Sequence, residues 1–329
     1  MAKTKNKKTT VKKDTTKKKK NKTKYKVRNW HEYNEMLVNR GRIDVWVEKG
    51  ILEQWFAKDP KKRKRGAKKR YSDKSIEITL QFGQVFHQKL RQTEGLLNAV
   101  FKLMNIDLDV PDFTTLSRRG ETITIELPKE KRGTVAIIVD SSGLKVYGEG
   151  EWKVRKHGWG KHRTWQKIHL AITPDGEIRE EKLTNNSVTD EQVFPELIEQ
   201  EPDIDKVAGD GAYDKSSVYD ICHEKGIETI AIPPQKNAVI WQHGNCKDKP
   251  HPRDENLRKI RKSSRSKWKK EVGYHVRSMG ENVFFRWKTI FGDKLNARKM
   301  ATQQTEARIK ASILNKMRLL GMPNSYAVN

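Results

Sequence analysis

Cysteine is nearly missing from this chain: Cys222 and Cys246 are the only two among 329 residues. A disulfide framework therefore does not hold the fold together, and a reducing, cytoplasmic location is expected. Long apolar runs are missing as well. The longest aliphatic stretch, Val135-Ala136-Ile137-Ile138-Val139, is far too short to cross a bilayer, and no apolar segment follows the basic N-terminus as a secretory signal would require. Acidic charge is scarce beside basic charge: 42 Asp and Glu stand against 69 Lys and Arg, a formal net charge of +27. Such an excess costs self-repulsion and adds nothing to fold stability. It calls for an anionic partner, nucleic acid before a membrane surface, because no basic amphipathic helix needs a membrane.

What is present divides into four parts. Residues 1–28 are rich in lysine, with a run at 17–20, one acid (Asp14) and almost no apolar side chain before Tyr25. Such a segment buries too little surface to offset its ordering entropy, so a disordered basic arm that touches phosphates, or only aids solubility, is expected. Residues 29–57 mix Trp30, Tyr33, Trp46, Trp55 and Phe56 with aliphatics and read as short helices; the basic run 58–70 reads as an exposed loop. Ser72 or Asp73 then caps a helix carrying Ile76, Leu80, Phe86 and Leu90. A second helix carries Leu96, Leu97, Val100 and Phe101, and Pro111-Asp112 opens a third that ends in Arg118-Arg119-Gly120. Residues 29–121 are thus expected to form a small all-α DNA-binding domain with Arg118 and Arg119 as contacts, although any three-helix bundle has this pattern.

From residue 122 the periodicity changes. Strands are expected at 122–127 and 134–139, and an antiparallel meander at 165–172 and 178–183 around the turn Pro174-Asp175-Gly176. A helix opened by Thr189 or Asp190, a strand at 206–209, a helix at 216–225 stopped by Gly226, a strand at 229–232 and a long helix over 254–291 follow. From 134 onward the order is β-β-β-α-β-α-β-α, which predicts an α/β domain over 122–300: a ribonuclease-H-like mixed sheet with flanking helices. A C-terminal helical tail is expected over 301–329.

Three acids carry the chemistry. Asp140 follows a wholly apolar, hence central, strand and precedes the turn-like Ser141-Ser142-Gly143. Asp210 repeats the design after Val207-Ala208-Gly209. Either alone reads as a turn former; two such sites joined by a third acid on a helix do not. Glu281 lies in the pattern Tyr274-x2-Arg277-x3-Glu281-x6-Lys288. At about 100° per residue, these four fall within an arc of about 60°, opposite Val276, Met279, Val283, Trp287 and Ile290. Carboxylates gathered from distant parts of a chain suit Mg²⁺ or Mn²⁺, and two such ions suit in-line displacement at phosphorus. Arg277 and Lys288 would hold phosphate beside them and Tyr274 donate to one; Arg277 and Glu281 also have the spacing of a plain i,i+4 pair.

At these residues the chain resembles the DDE transposases of insertion-sequence elements, in particular the insertion-sequence-five-type group with a Tyr-Arg-Glu-Lys signature. The first block is Val139-Asp140-Ser141-Ser142-Gly143-Leu144-Lys145, the second Gly209-Asp210-Gly211-Ala212-Tyr213-Asp214, and the third the pattern around Glu281. The segment 111–119 resembles the one that precedes the catalytic domain in that group. The resemblance covers roughly residues 30–300. It implies a catalytic triad of Asp140, Asp210 and Glu281, and Mg²⁺ (or Mn²⁺), with Tyr274, Arg277 and Lys288 on DNA. It implies endonuclease nicking at transposon ends, followed by joining of the 3′-hydroxyl to target DNA. The implied partners are double-stranded DNA (terminal inverted repeats and target) and further copies of the chain, in a cytoplasmic, nucleoid-associated setting. The lysine-rich arm has no counterpart in the family pattern. The interval between Asp210 and Glu281 leaves no room for a separate insertion domain.

Other signals are weaker. His243-x2-Cys246-x4-His251, with Cys222 or His223, offers zinc ligands but not a finger spacing; a polar loop is the simpler reading. Lys153, Arg155, Lys156 and their basic neighbours surround Trp152, Trp159 and Trp165, a pattern suited to distorted or single-stranded DNA or to a hairpin loop. The basic stretch 258–270 would lie on DNA flanking the cut or form a solvated helix face. Two alternatives stay open: a transposase relic that binds DNA without cutting, and a metal-dependent nuclease that does not join strands.

Overall fold

The computed structural model describes residues 24–47, 49–58, 69–130, 133–146, 165–242 and 250–328. Residues 1–23 of the expected arm, the basic run 59–68, Trp152 and Trp159 with their basic neighbours, and His243 and Cys246 lie outside these residues.

The described chain begins with β1 (Lys24–Val27), paired antiparallel with β8 (Ser325–Val328). The expected disorder of residues 24–28 is therefore corrected: these residues are fixed by a strand from the other end of the sequence. Six helices follow: α1 (Trp30–Asn39), α2 (Ile43–Trp46), α3 (Lys49–Leu52), α4 (Asp73–Val85), α5 (Leu90–Leu103) and α6 (Phe113–Arg119). Ser72 caps α4 by accepting from the Ser75 amide, and Asp112 caps α6 by accepting from Thr114 and Thr115. Trp46, Trp55, Ile76, Phe82, Leu97, Phe101 and Leu116 form the core among them.

A six-stranded sheet is built around β2 (Val135–Val146). β3 (Trp165–Ile172) and β4 (Ile178–Asn185) extend it antiparallel on one side; β5 (Ile204–Ala208) and β6 (Thr229–Ala231) extend it in parallel on the other. The short β7 (Lys294–Leu295) pairs with the far end of β2. Val135, Ile137 and Val139 point to a core shared with α7 (Asp190–Ile198) and α8 (Ser216–Glu224). Ile138 and Leu144 point the other way, to a second core. Burial on both faces is why 135–139 is apolar without alternation. The sheet order and helix placement fit the expected ribonuclease-H-like mixed sheet with flanking helices.

Three further expectations are corrected. Residues 122–127 form no strand, Thr122 closing the turn after α6; α12 (Met300–Leu320) lies beside them, Arg308 Nε donating to Ile125 O at 2.9 Å. The long helix over 254–291 is broken into α9 (Pro252–Lys262), α10 (Arg265–Glu271), a 3-10 turn at Tyr274–Arg277 and α11 (Ser278–Phe291). The breaks fall at Ser264, which caps α10 by accepting from the Lys267 amide, and at Gly273, whose φ of +59° a side chain would resist. Finally, α12 is no tail. Its Ala307, Ala311 and Leu314 belong to the core beneath the sheet, while Ile309, Ile313 and Met317 complete the core of the N-terminal helices. No helix among the described residues is long and apolar enough to cross a membrane.

Candidate active site

Asp140 lies within β2, not at its end: the strand runs on through Ser141, Ser142 and Gly143, which pair with His169, Ile168 and Lys167. The expected turn there is overridden by a β3 long enough to pair with the whole segment. Asp140 therefore points from the middle of a strand onto the face covered by α11, and is only 8% exposed. What covers it is Gly280, where a Cβ would come within 2.8 Å of Asp140 Oδ2. Burial pushes the Asp140 carboxyl up to about 6; Arg277 and the Ser141 amide pull it down, and the charges of Asp210 and Glu281 raise it further.

Parallel pairing brings the second acid alongside. Ile138 pairs with Ala208, so Asp140 on β2 and Asp210 just past the end of β5 each stand two residues beyond that pair. Asp210 Oδ1 accepts from the Ala212 amide at 2.8 Å and caps the 3-10 turn Gly211–Tyr213. The turn is tight because Gly209 has no side chain: a Cβ there would stand 3.0 Å from both Val139 and Tyr213.

Glu281 sits in the first turn of α11, 65% exposed, and accepts from Arg277 Nη1 at 2.7 Å. Arg277 Nη2 is 3.8 Å from Asp140 Oδ1, so one guanidinium stands between two of the acids. Lys288 Nζ donates to Ser142 Oγ at 2.7 Å, tying α11 to β2 on the same face. Tyr274 is corrected in part. The 3-10 turn removes it from the helix of Glu281, and its half-buried ring packs 6.3 Å from Trp268 under Lys269. Burial raises its phenol, with Asp210, Asp140 and Glu281 adding to the shift, so it still borders the acids.

The two arginines of α6 part company. Arg118 is exposed, its Nε donating to Thr114 O at 3.3 Å. Arg119 donates to Tyr71 O at 3.0 Å and pairs with Asp73 in the first turn of α4. It joins α6 to the start of α4.

Sequence reasoning missed a second polar group behind the acids. Asp190, at the start of α7, lies 2.8 Å from Lys167 Nζ and 3.2 Å from His169 Nδ1. Burial raises its carboxyl, but His169, Lys167 and Ser141 outweigh this and hold it down at about 2. The inward alternation of Lys167 and His169 along β3 was the available signal. Tyr213 was also missed. Its phenol is buried, feels Asp190, Asp140 and Asp210, and has no hydrogen-bond partner among the described residues.

The donor set fits a hard divalent cation. Burial and the neighbouring charges of Asp210 and Glu281 raise the Asp140 carboxyl, and the buried Tyr213 hydroxyl has no hydrogen-bond partner among the described residues. As the side chains stand, however, no three His, Cys, Asp or Glu among the described residues are grouped to hold one ion; Glu281 is engaged with Arg277 instead.

A family model described as a transposase DDE domain matches residues 131–316, from just before β2 nearly to the end of α12. A second model of the same description matches residues 38–149, which include the N-terminal helices and Asp140. The first alone spans more than half of the chain, and the chain belongs to the DDE transposase domain family.

Proposed function

We propose that this transposase binds the terminal inverted repeats of its element, nicks DNA at the element's ends and joins the freed 3′-hydroxyl to target DNA. We assign Asp140, Asp210 and Glu281 as the catalytic acids, within the insertion-sequence-five-type group. The observation that supports this most is the register: adjacent parallel strands carry Asp140 and Asp210 to the same level, and Gly280 lets the helix of Glu281 close over them.

Asp140, Asp210 and Glu281 would hold Mg²⁺ or Mn²⁺, which when bound supplies charge to the attacking and leaving oxygens of an in-line displacement. The rest falls to the chain. Arg277 offers a planar fork to a phosphate, and Lys288 a point charge anchored through Ser142. Tyr274, at the border of the acids, limits water on that side. Asp210 is oriented by the Ala212 amide, and Asp140 by the Ser141 amide. The net charge of +27 draws the duplex in, and Arg118 is the α6 side chain open to it. Multimer formation on DNA is part of this reading, because two ends must meet.

The test is a nicking assay on supercoiled plasmid with Mg²⁺ or with EDTA, joined to a strand-transfer assay with labelled inverted-repeat oligonucleotides. Nicking and joined product are expected with Mg²⁺ and neither with EDTA. Asp140→Asn, Asp210→Asn and Glu281→Gln should each lower cleavage by at least about a thousandfold, the scale of a lost electrostatic contribution to the transition state, while DNA binding persists. Retained cleavage by Asp140→Asn would overturn the assignment. Nicks without joined product would leave a nuclease.

A further inference from the structure

Arg277 is poorly satisfied for a guanidinium that is only 20% exposed. Nη1 donates to Glu281, Nη2 lies 3.8 Å from Asp140 beyond hydrogen-bond range, and Nε is buried with no acceptor among the described residues. Five N–H donors in a plane are thus served by one good bond. Glu281 has the opposite problem. It is well exposed, yet one of its oxygens is taken by the guanidinium. A carboxylate paired with arginine is a weak ligand for a second cation, because that cation meets the positive charge already there. A phosphodiester, by contrast, matches the arginine fork and can accept from two nitrogens at once.

We propose that Arg277 exchanges partners: a DNA phosphate draws the guanidinium off Glu281, and that release makes Glu281 available to a divalent ion. Arg277 is in this sense a positioning residue, acting on the ion through Glu281. The inference rests on the assignment of the three acids as ion ligands. It makes ion binding and DNA binding mutually favourable, since coupling between two ligands is reciprocal. It also keeps the acids from holding an ion firmly before a strand is present. An i,i+4 pair that only supported the helix would leave ion affinity unchanged.

The experiment is Mn²⁺ binding to the full chain, read by the loss of the free-ion signal in electron paramagnetic resonance, with and without a short duplex. Uptake by the duplex alone is subtracted. The proteins are the parent, Arg277→Gln and Lys288→Gln. Lys288→Gln removes the same charge from the same face, but from a side chain that donates to Ser142 and not to Glu281, so it controls for charge alone. Without DNA, Arg277→Gln is expected to bind Mn²⁺ about three- to tenfold more tightly than the parent, the worth of a partly exposed ion pair. It should gain less than the parent when DNA is added; Lys288→Gln, which removes a proposed phosphate contact but not the partner of Glu281, serves as the control in the DNA-free arm and should leave Mn²⁺ affinity there unchanged. Should Arg277→Gln fail to fold, Arg277→Met carries the same expectation. Unchanged or weaker binding by the Arg277 variant overturns the exchange, as does equal tightening in both variants. A parent that binds no Mn²⁺ with or without DNA overturns the ligand assignment itself, and the exchange with it.

Discussion

At the scale of single residues, Asp140 and Asp210 stand out in the sequence because each follows an apolar strand segment, while Glu281 stands out only through the helical spacing around it. Gly280 was not legible. Nothing around it in the sequence says that its missing side chain faces Asp140, 140 positions away. Gly280→Ala should favour the helix by up to about 1 kcal/mol yet push α11 off Asp140. Cleavage is expected to fall at least tenfold with little change in the urea midpoint; a variant as active as the parent would show that the close approach is immaterial. Glu181 offers a second test away from the acids. Burial pushes its carboxyl up to about 8, against the pull of Arg308. The folded chain keeps this proton as pH rises from about 4.5 to 8 while the unfolded chain releases it, so the group subtracts stability across that window. Glu181→Gln should therefore be more stable than the parent by about 2–4 kcal/mol at pH 8 and equal to it near pH 4. Urea denaturation at several pH values reads this directly, and a difference independent of pH would refute it.

At the scale of elements, the strands and helices between 165 and 231 follow the sequence closely, because their apolar periodicity and Gly or Pro boundaries agree. The stretch 252–291 departs from it because helical periodicity carries through Ser264 and Gly273, where capping and a left-handed backbone end each turn. The segment 122–127 departs for a different reason: its alternating residues meet a helix where strand pairing would need a sheet edge. Just past it, the same helix is joined to Pro128 and β4 by Asn315, whose side chain donates to Pro128 O and Ile178 O and accepts from the Ile178 amide. Asn315→Leu fits the site in size but leaves those groups buried and unpaired. A loss of about 2–4 kcal/mol is expected by chemical denaturation; a loss under about 1 kcal/mol would mean that water replaces the amide. Lys310, fully buried against Glu306 at 2.7 Å, ties the same helix to the β7 segment through Lys294 O.

At the scale of the whole molecule, charge was the most legible property and domain division the least. Composition gave the anionic partner, but a helical region followed by a sheet reads as two domains, whereas α12 contributes one face to each. Only tertiary contact reveals that, since both faces of α12 look like ordinary apolar stripes. The lysine-rich residues 1–23 can be removed without touching β1. Their deletion should weaken DNA binding and flatten its dependence on salt, with the thermal midpoint unchanged; an unaltered salt slope would show that the arm makes no phosphate contact. Because α12 walls two cores and follows their other helices and strands in the chain, both cores stay open during synthesis until it is made. Domains made early in synthesis commonly fold as they emerge; this one has to wait for residues 300–320. A message cut short before that point yields a chain with neither core closed, a substrate for proteases.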